Sequence, residues 1–109
     1  MSKEKSSDRP NKPPKTLIFE LDYPVQRQGK ETSRVKMGRF TLEQMLHGQK
    51  YSDDEFEQTL YSISVCTENA DEPWTIDELK QLDPSDALVL IKEWTVFTQG
   101  RAKTLEQNA

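Results

Sequence analysis

Thr16-Leu17-Ile18-Phe19-Glu20-Leu21-Asp22-Tyr23-Pro24-Val25 is the stretch on which the fold turns. Leu17, Phe19, Leu21 and Tyr23 alternate with Ile18, Glu20 and Asp22, a period of two that marks a β-strand with one apolar face. Pro24 is expected near the end of that strand, where a missing N–H is tolerable. Gln26–Lys30 is polar and contains Gly29, and beyond it Val35 and Met37 alternate with Arg34 and Lys36. Two alternating runs around a glycine-containing turn predict a β-hairpin with a loose loop. A lone hairpin is marginal in water, so its apolar face needs a cover.

Downstream, the pattern becomes helical. Phe40-Thr41 leads to Gln44 and Met45, Tyr51-Ser52 to Glu55 and Phe56, and Trp74-Thr75 to Glu78 and Leu79. In each, a Ser or Thr can cap a backbone N–H three residues on, and the Glu or Gln there can reach back to the N–H of the cap. The apolar residues on either side can pack together across the helix start. A fourth start is Asp83-Pro84-Ser85-Asp86: Asp83 caps, Pro84 fits the first turn, and Asp86 favours the positive helix end. Gly48 and Gly100 read as helix stops. Helices are therefore expected near 42–47, 53–67, 76–82 and 84–99. The fold class is α+β: an N-terminal β-hairpin packed against a small bundle of three to four helices, with disordered termini.

Around this domain, expected over 16–100, the ends are polar. Residues 1–15 carry Lys3, Lys5, Arg9, Lys12 and Lys15 against Glu4 and Asp8, with Pro10, Pro13 and Pro14 and no aliphatic residue after Met1. That composition predicts a disordered basic leader. Residues 101–109 read as a flexible polar tail. The full chain of 109 residues is 33% hydrophobic and 31% charged, and a single small domain leaves little room for both a core and a deep cleft.

Charge and chemistry narrow the function. Glu43–Asp86 holds twelve acids against Lys50 and Lys80, a net of −10, which repels phosphate and argues against nucleic-acid binding. The single cysteine, Cys66, allows no internal disulfide. With no apolar run long enough for a membrane span or a secretion signal, the expected location is the cytoplasm of the cell that makes the chain, with no membrane partner. His47 stands just before Gly48, where a helix end favours its positive charge, and Cys66 falls on a core face. Asp53, Asp54, Glu55 and Glu57 open a helix and lack the spacing of a calcium loop. The polar residues are accounted for by caps, turns and solubility, so the expectation is a binding protein and not an enzyme, with no catalytic, metal or cofactor site.

The apolar faces supply the candidate site. On the helix from Asp53, Phe56, Thr59, Leu60, Ile63, Cys66 and Thr67 share one side, leaving Tyr61 and Val65 on another. On the last helix, Ala87, Leu88, Leu90, Ile91, Trp94 and Phe97 form the core side, with Val89 and Val96 opposite and seven apart. Tyr61, Val65, Val89 and Val96 are thus the expected partner or homo-oligomer surface.

Leu17–Phe97 resembles the tail assembly chaperone family of Mu-like and related contractile-tailed phages. The resemblance rests on Ile18-Phe19-Glu20-Leu21-Asp22-Tyr23-Pro24-Val25 with Gly29, on Arg34-Val35-Lys36-Met37, and on Glu78-Leu79-Lys80-Gln81-Leu82-Asp83-Pro84-Ser85-Asp86 followed by Leu88 and Ile91. The chain departs from that family's pattern in its leader and at Gly38-Arg39-Phe40, where an Arg-x-Pro step is expected. The resemblance implies binding to the tape measure protein, a long helical client, which is kept soluble until tail tube subunits polymerise around it. A small structural tail or baseplate protein, or an acidic host-directed phage protein, are the alternative readings.

Overall fold

The computed structural model describes residues 14–108, with side chains up to Gln99; most of the basic leader lies outside the described residues. Two strands, β1 (Thr16–Arg27) and β2 (Lys30–Gly38), precede α1 (Leu42–Tyr51), α2 (Glu55–Asn69), α3 (Ile76–Leu79) and α4 (Pro84–Asn108). The strands pair antiparallel as a two-stranded sheet, and the helices cover its apolar face: an α+β fold.

The hairpin turn is tight where a loose loop was expected. Arg27 pairs with Lys30, leaving only Gln28 and Gly29 in the turn, and both have positive φ, 51° and 78°. That is the geometry of a type I′ turn, whose twist matches the flanking strands. The strand also runs past Pro24 to Arg27. Between the Glu20–Arg34 and Val25–Thr32 pairs, four residues of β1 face only Ser33 of β2. Pro24, lacking an N–H, lies in this bulge and forfeits no ladder bond.

Alternation then sorts the side chains. Phe19, Leu21, Val25, Val35 and Met37 point inward and are buried, whereas Ile18, Glu20 and Arg34 face water. Leu60, Ile63, Cys66, Trp74, Leu79, Leu82 and Leu90 complete one core from the helical side. Each of these burials is worth roughly 1.5–3 kcal/mol for a large aliphatic or aromatic side chain.

Two polar clusters fasten the layers. Asp86, 3% exposed, accepts the backbone N–H groups of Asp22 and Tyr23, both at 3.0 Å, so one carboxylate of α4 holds the bulge of β1. Thr67, fully buried, donates to the Ser64 carbonyl at 2.6 Å and accepts from the Trp74 N–H at 2.8 Å. That pair turns the chain after α2 and places Trp74 in the core.

The helix boundaries differ from expectation at four points, one of them that α3, expected near 76–82, ends at Leu79. Gly48 does not stop α1; it lies inside it and is buried against α2, so closely that a Cβ there would stand 2.8 Å from Ser62 Oγ. Glycine is present for close helix approach. Gly100 does not stop α4, which continues to Asn108. Ser52 does not cap α2: it is the C-cap of α1, and Asp54 takes the N-cap. Because α1 runs on to Tyr51, Ser52 serves as the joint, its hydroxyl accepting from Asp54 N–H at 3.0 Å. Gln58 Nε2 donates to the Ser52 carbonyl at 2.7 Å and braces the corner. The capping boxes at Thr41–Gln44 and Thr75–Glu78 are both formed. The short helix α3 ends at Leu79, and the chain turns through Leu82 to Asp83, whose carboxylate accepts from the Ser85 N–H at 3.0 Å.

Candidate interaction surface

The residues that could carry covalent chemistry lie apart in character. His47 is exposed on α1, whereas Cys66 is fully buried in α2. Burial pushes the Cys66 thiol up from its ordinary value, opposed by the hydrogen bond from Trp94 and the positive charge of Arg39. Its Sγ accepts from the Trp94 indole N–H at 3.5 Å, so the cysteine serves as a core residue. Among the described residues, no group of three His, Cys, Asp or Glu side chains could hold a metal ion. Nor is any helix among them long and apolar enough to cross a membrane.

The apolar surface is extensive for so small a domain. On α4, Val89 and Val96 are 47% and 56% exposed, the positions expected for a partner surface. Leu88 joins them at 65%, although it was expected on the core side. The reason is angular: Leu90 is central to the buried face, and a residue two positions away lies about 160° round the helix. Tyr61 and Val65 do not join this exposed set. Both are half-buried, and Tyr61 is covered by Tyr51 of α1, with ring centroids 4.9 Å apart.

The spacing of α1 leaves a second strip that sequence reading passed over. Leu42 and Leu46, four apart and therefore neighbours on one face, are 67% and 44% exposed. Gly48 is the one α1 residue that is fully buried, so this helix meets the domain through a narrow seam. Leu42 follows the cap Thr41 directly, a position that reads as helix start before it reads as surface.

A third feature is an open groove between the start of α2 and the middle of α4. Asp54, Glu55, Phe56, Thr59, Trp94, Thr95 and Gln99 line it, enclosing about 480 Å³. Phe56, expected in the core, is 48% exposed here, in the first turn of α2. Thr59 and Thr95 turn their hydroxyls back to the carbonyls of Glu55 and Ile91, at 3.1 and 2.8 Å. Their polar atoms are satisfied within their own helices, which makes the groove more apolar than its composition suggests.

The arrangement thus offers apolar strips on two helices and a groove that contains two aromatic residues, in a chain whose Glu43–Asp86 stretch is strongly acidic. A second open pocket, of about 490 Å³, is polar and lined by Lys30, Glu31, Thr32, Ser33, Arg34 and Glu72. In comparisons with protein-family models, curated proteins and solved structures, nothing matches this chain.

Proposed function

We propose that this chain is a tail assembly chaperone, which binds the helical tape measure protein of a phage tail and keeps it dissolved until tail tube subunits enclose it. The observation that carries the reading is the pair of helical strips, Leu42 with Leu46 and Leu88 with Val89 and Val96, left in water by a fold whose core is already complete. A helix recognises another amphipathic helix through apolar residues at such spacing. Exposed apolar strips invite aggregation unless charge opposes it. The net charge of −10 over Glu43–Asp86 supplies that repulsion and keeps a chaperone–client complex dispersed.

Release matters as much as capture. Shallow strips give many weak contacts, which a polymerising tube can displace one after another. Co-expression with the tape measure protein tests the reading: the soluble fraction of the client should rise. Val89→Ser with Val96→Ser, and separately Leu42→Ser with Leu46→Ser, should reduce that gain while leaving the chaperone folded, because all four side chains face water. A client equally insoluble with and without the parent chain refutes the proposal.

A further inference from the structure

We propose that α4 pairs antiparallel with α4 of a second copy of this chain, about a two-fold axis between Lys92 and Glu93, with Leu88 of each copy seated in the Phe56–Trp94 groove of the other. Three observations carry this. The first is a continuous uncovered face. Ser85, Leu88, Val89, Lys92, Val96 and Gln99 fall within about 100° of one another round the helix. All six are exposed, whereas Leu90 and Phe97 are buried on the opposite side.

The second is self-complementary charge. An antiparallel pair centred between Lys92 and Glu93 sets Val89 level with Val96 of the other copy and Lys92 level with its Glu93. In a two-fold interface each of these contacts occurs twice. Two valine pairs then flank four exposed charges that sum to zero. Moving the axis onto Lys92 or onto Glu93 sets like charges level, so charge selects this register. The third is shape. At this register Leu88 is level with the gap between Thr95 and Gln99 of the other copy, and both line the groove of about 480 Å³. Leu88 and Thr95 are seven apart and so lie on one line of the helix, and a two-fold axis keeps that line on the same side of both helices. Leu88 is 65% exposed, more than Val89 or Val96, and the groove offers it the exposed ring of Phe56. The contact runs over about four turns of one helix, which places it among the small, reversible interfaces below about 1,200 Å². It covers Leu88, Val89 and Val96, so a second copy and a client compete for this strip. That competition rests on the chaperone reading, whereas the dimer itself does not.

Sedimentation equilibrium of the full-length chain, with no client present, tests the dimer apart from the chaperone reading. The expected result is a concentration-dependent monomer–dimer equilibrium. Leu88→Ser should raise the dissociation constant about tenfold or more, since each dimer loses two buried leucines. Lys92→Glu or Glu93→Lys alone should weaken the dimer, and mixing these two variants should restore it, because each brings the charge that the other lacks. The substituted side chains face water, so the domain stays folded. Register is read by disulfide formation: Val89→Cys mixed with Val96→Cys should cross-link between the two variants faster than either does with itself. Cys66, fully buried, stays in place, and the parent chain sets the background. A chain that remains monomeric up to about 1 mM overturns the proposal. So does a dimer untouched by Leu88→Ser, a failure of the mixed charge variants to pair, or cross-linking as fast within one variant as between the two. Loss of client solubility with the dimer intact counts against the chaperone reading alone.

Discussion

Asp86 shows how much one side chain can do once the chain has folded. As a residue in the first turn of α4 it favours the positive helix end, and its two oxygens also hold the N–H groups of Asp22 and Tyr23. Removing it leaves two backbone donors without partners, at about 1–3 kcal/mol when the site is partly buried. Asp86→Ala should therefore lower the unfolding free energy by about 2–3 kcal/mol, with Asp86→Asn falling between, because one acceptor oxygen remains. Urea denaturation measures both; equal stability of all three chains would remove the clamp from the account. Gly48 belongs to the same scale. Alanine gains about 1 kcal/mol over glycine inside a helix, but here its Cβ meets Ser62 Oγ. Gly48→Ala should stabilise the chain in a Ser62→Ala background and do so less, or reverse sign, in the parent. A double-mutant cycle with no coupling would show that the contact is not what keeps glycine there.

Among the elements, the hairpin turn carries the clearest strain. Gln28 holds a φ of 51°, which asparagine and glycine accept more readily than glutamine. Gln28→Asn should raise stability by about 0.5–1 kcal/mol by matching the residue to a type I′ turn. Thermal unfolding reads this directly, and a lowered midpoint would mean that the turn has another conformation in solution. Next to it, Arg27 joins the hairpin to the start of α3. Its guanidinium lies 4.1 Å above the Trp74 ring, bonds the Pro73 carbonyl and pairs with Glu78 at 3.3 Å. Elements that meet through such a cluster move as a unit, so the loop before α3 is fixed by the end of β1.

For the whole molecule, that cluster makes stability depend on pH. Glu78 is held below its ordinary carboxyl value of 4.5, chiefly by the Thr75 backbone N–H, with Arg27 adding its charge and its hydrogen bond against the cost of burial. A carboxyl depressed in the folded state stabilises the protein above its unfolded value, and the contribution is lost as pH falls through the lower folded value. Stability should therefore drop on acidification below about pH 4.5, and Glu78→Gln should flatten part of that drop. Parallel slopes for the two chains between neutral and acid pH would exclude Glu78 as a source. At this scale the surface also has its reason. One sheet face, one side of α2 and one side of α4 complete the core, which leaves the outer sides of α1 and α4 to water.

Local chemistry was enough to determine that there is a hairpin at Leu17–Met37, that helices start at Thr41, Thr75 and Asp83, and that Val89 and Val96 face away from the core. Period-two alternation, capping pairs and seven-residue spacing act over a few residues, so the chain carries them in plain order. What only the tertiary structure decided is where elements end and which apolar side chains remain uncovered. Gly48 continues a helix because Ser62 stands against it, and Tyr61 is withdrawn from the surface because Tyr51 lies over it. Phe56 is left exposed in the first turn of α2 and Leu88 by how α4 is rotated, and Asp86 finds its amides 63 and 64 residues away in sequence. These outcomes depend on contacts between segments far apart in the chain, whose geometry exists only once the layers have packed.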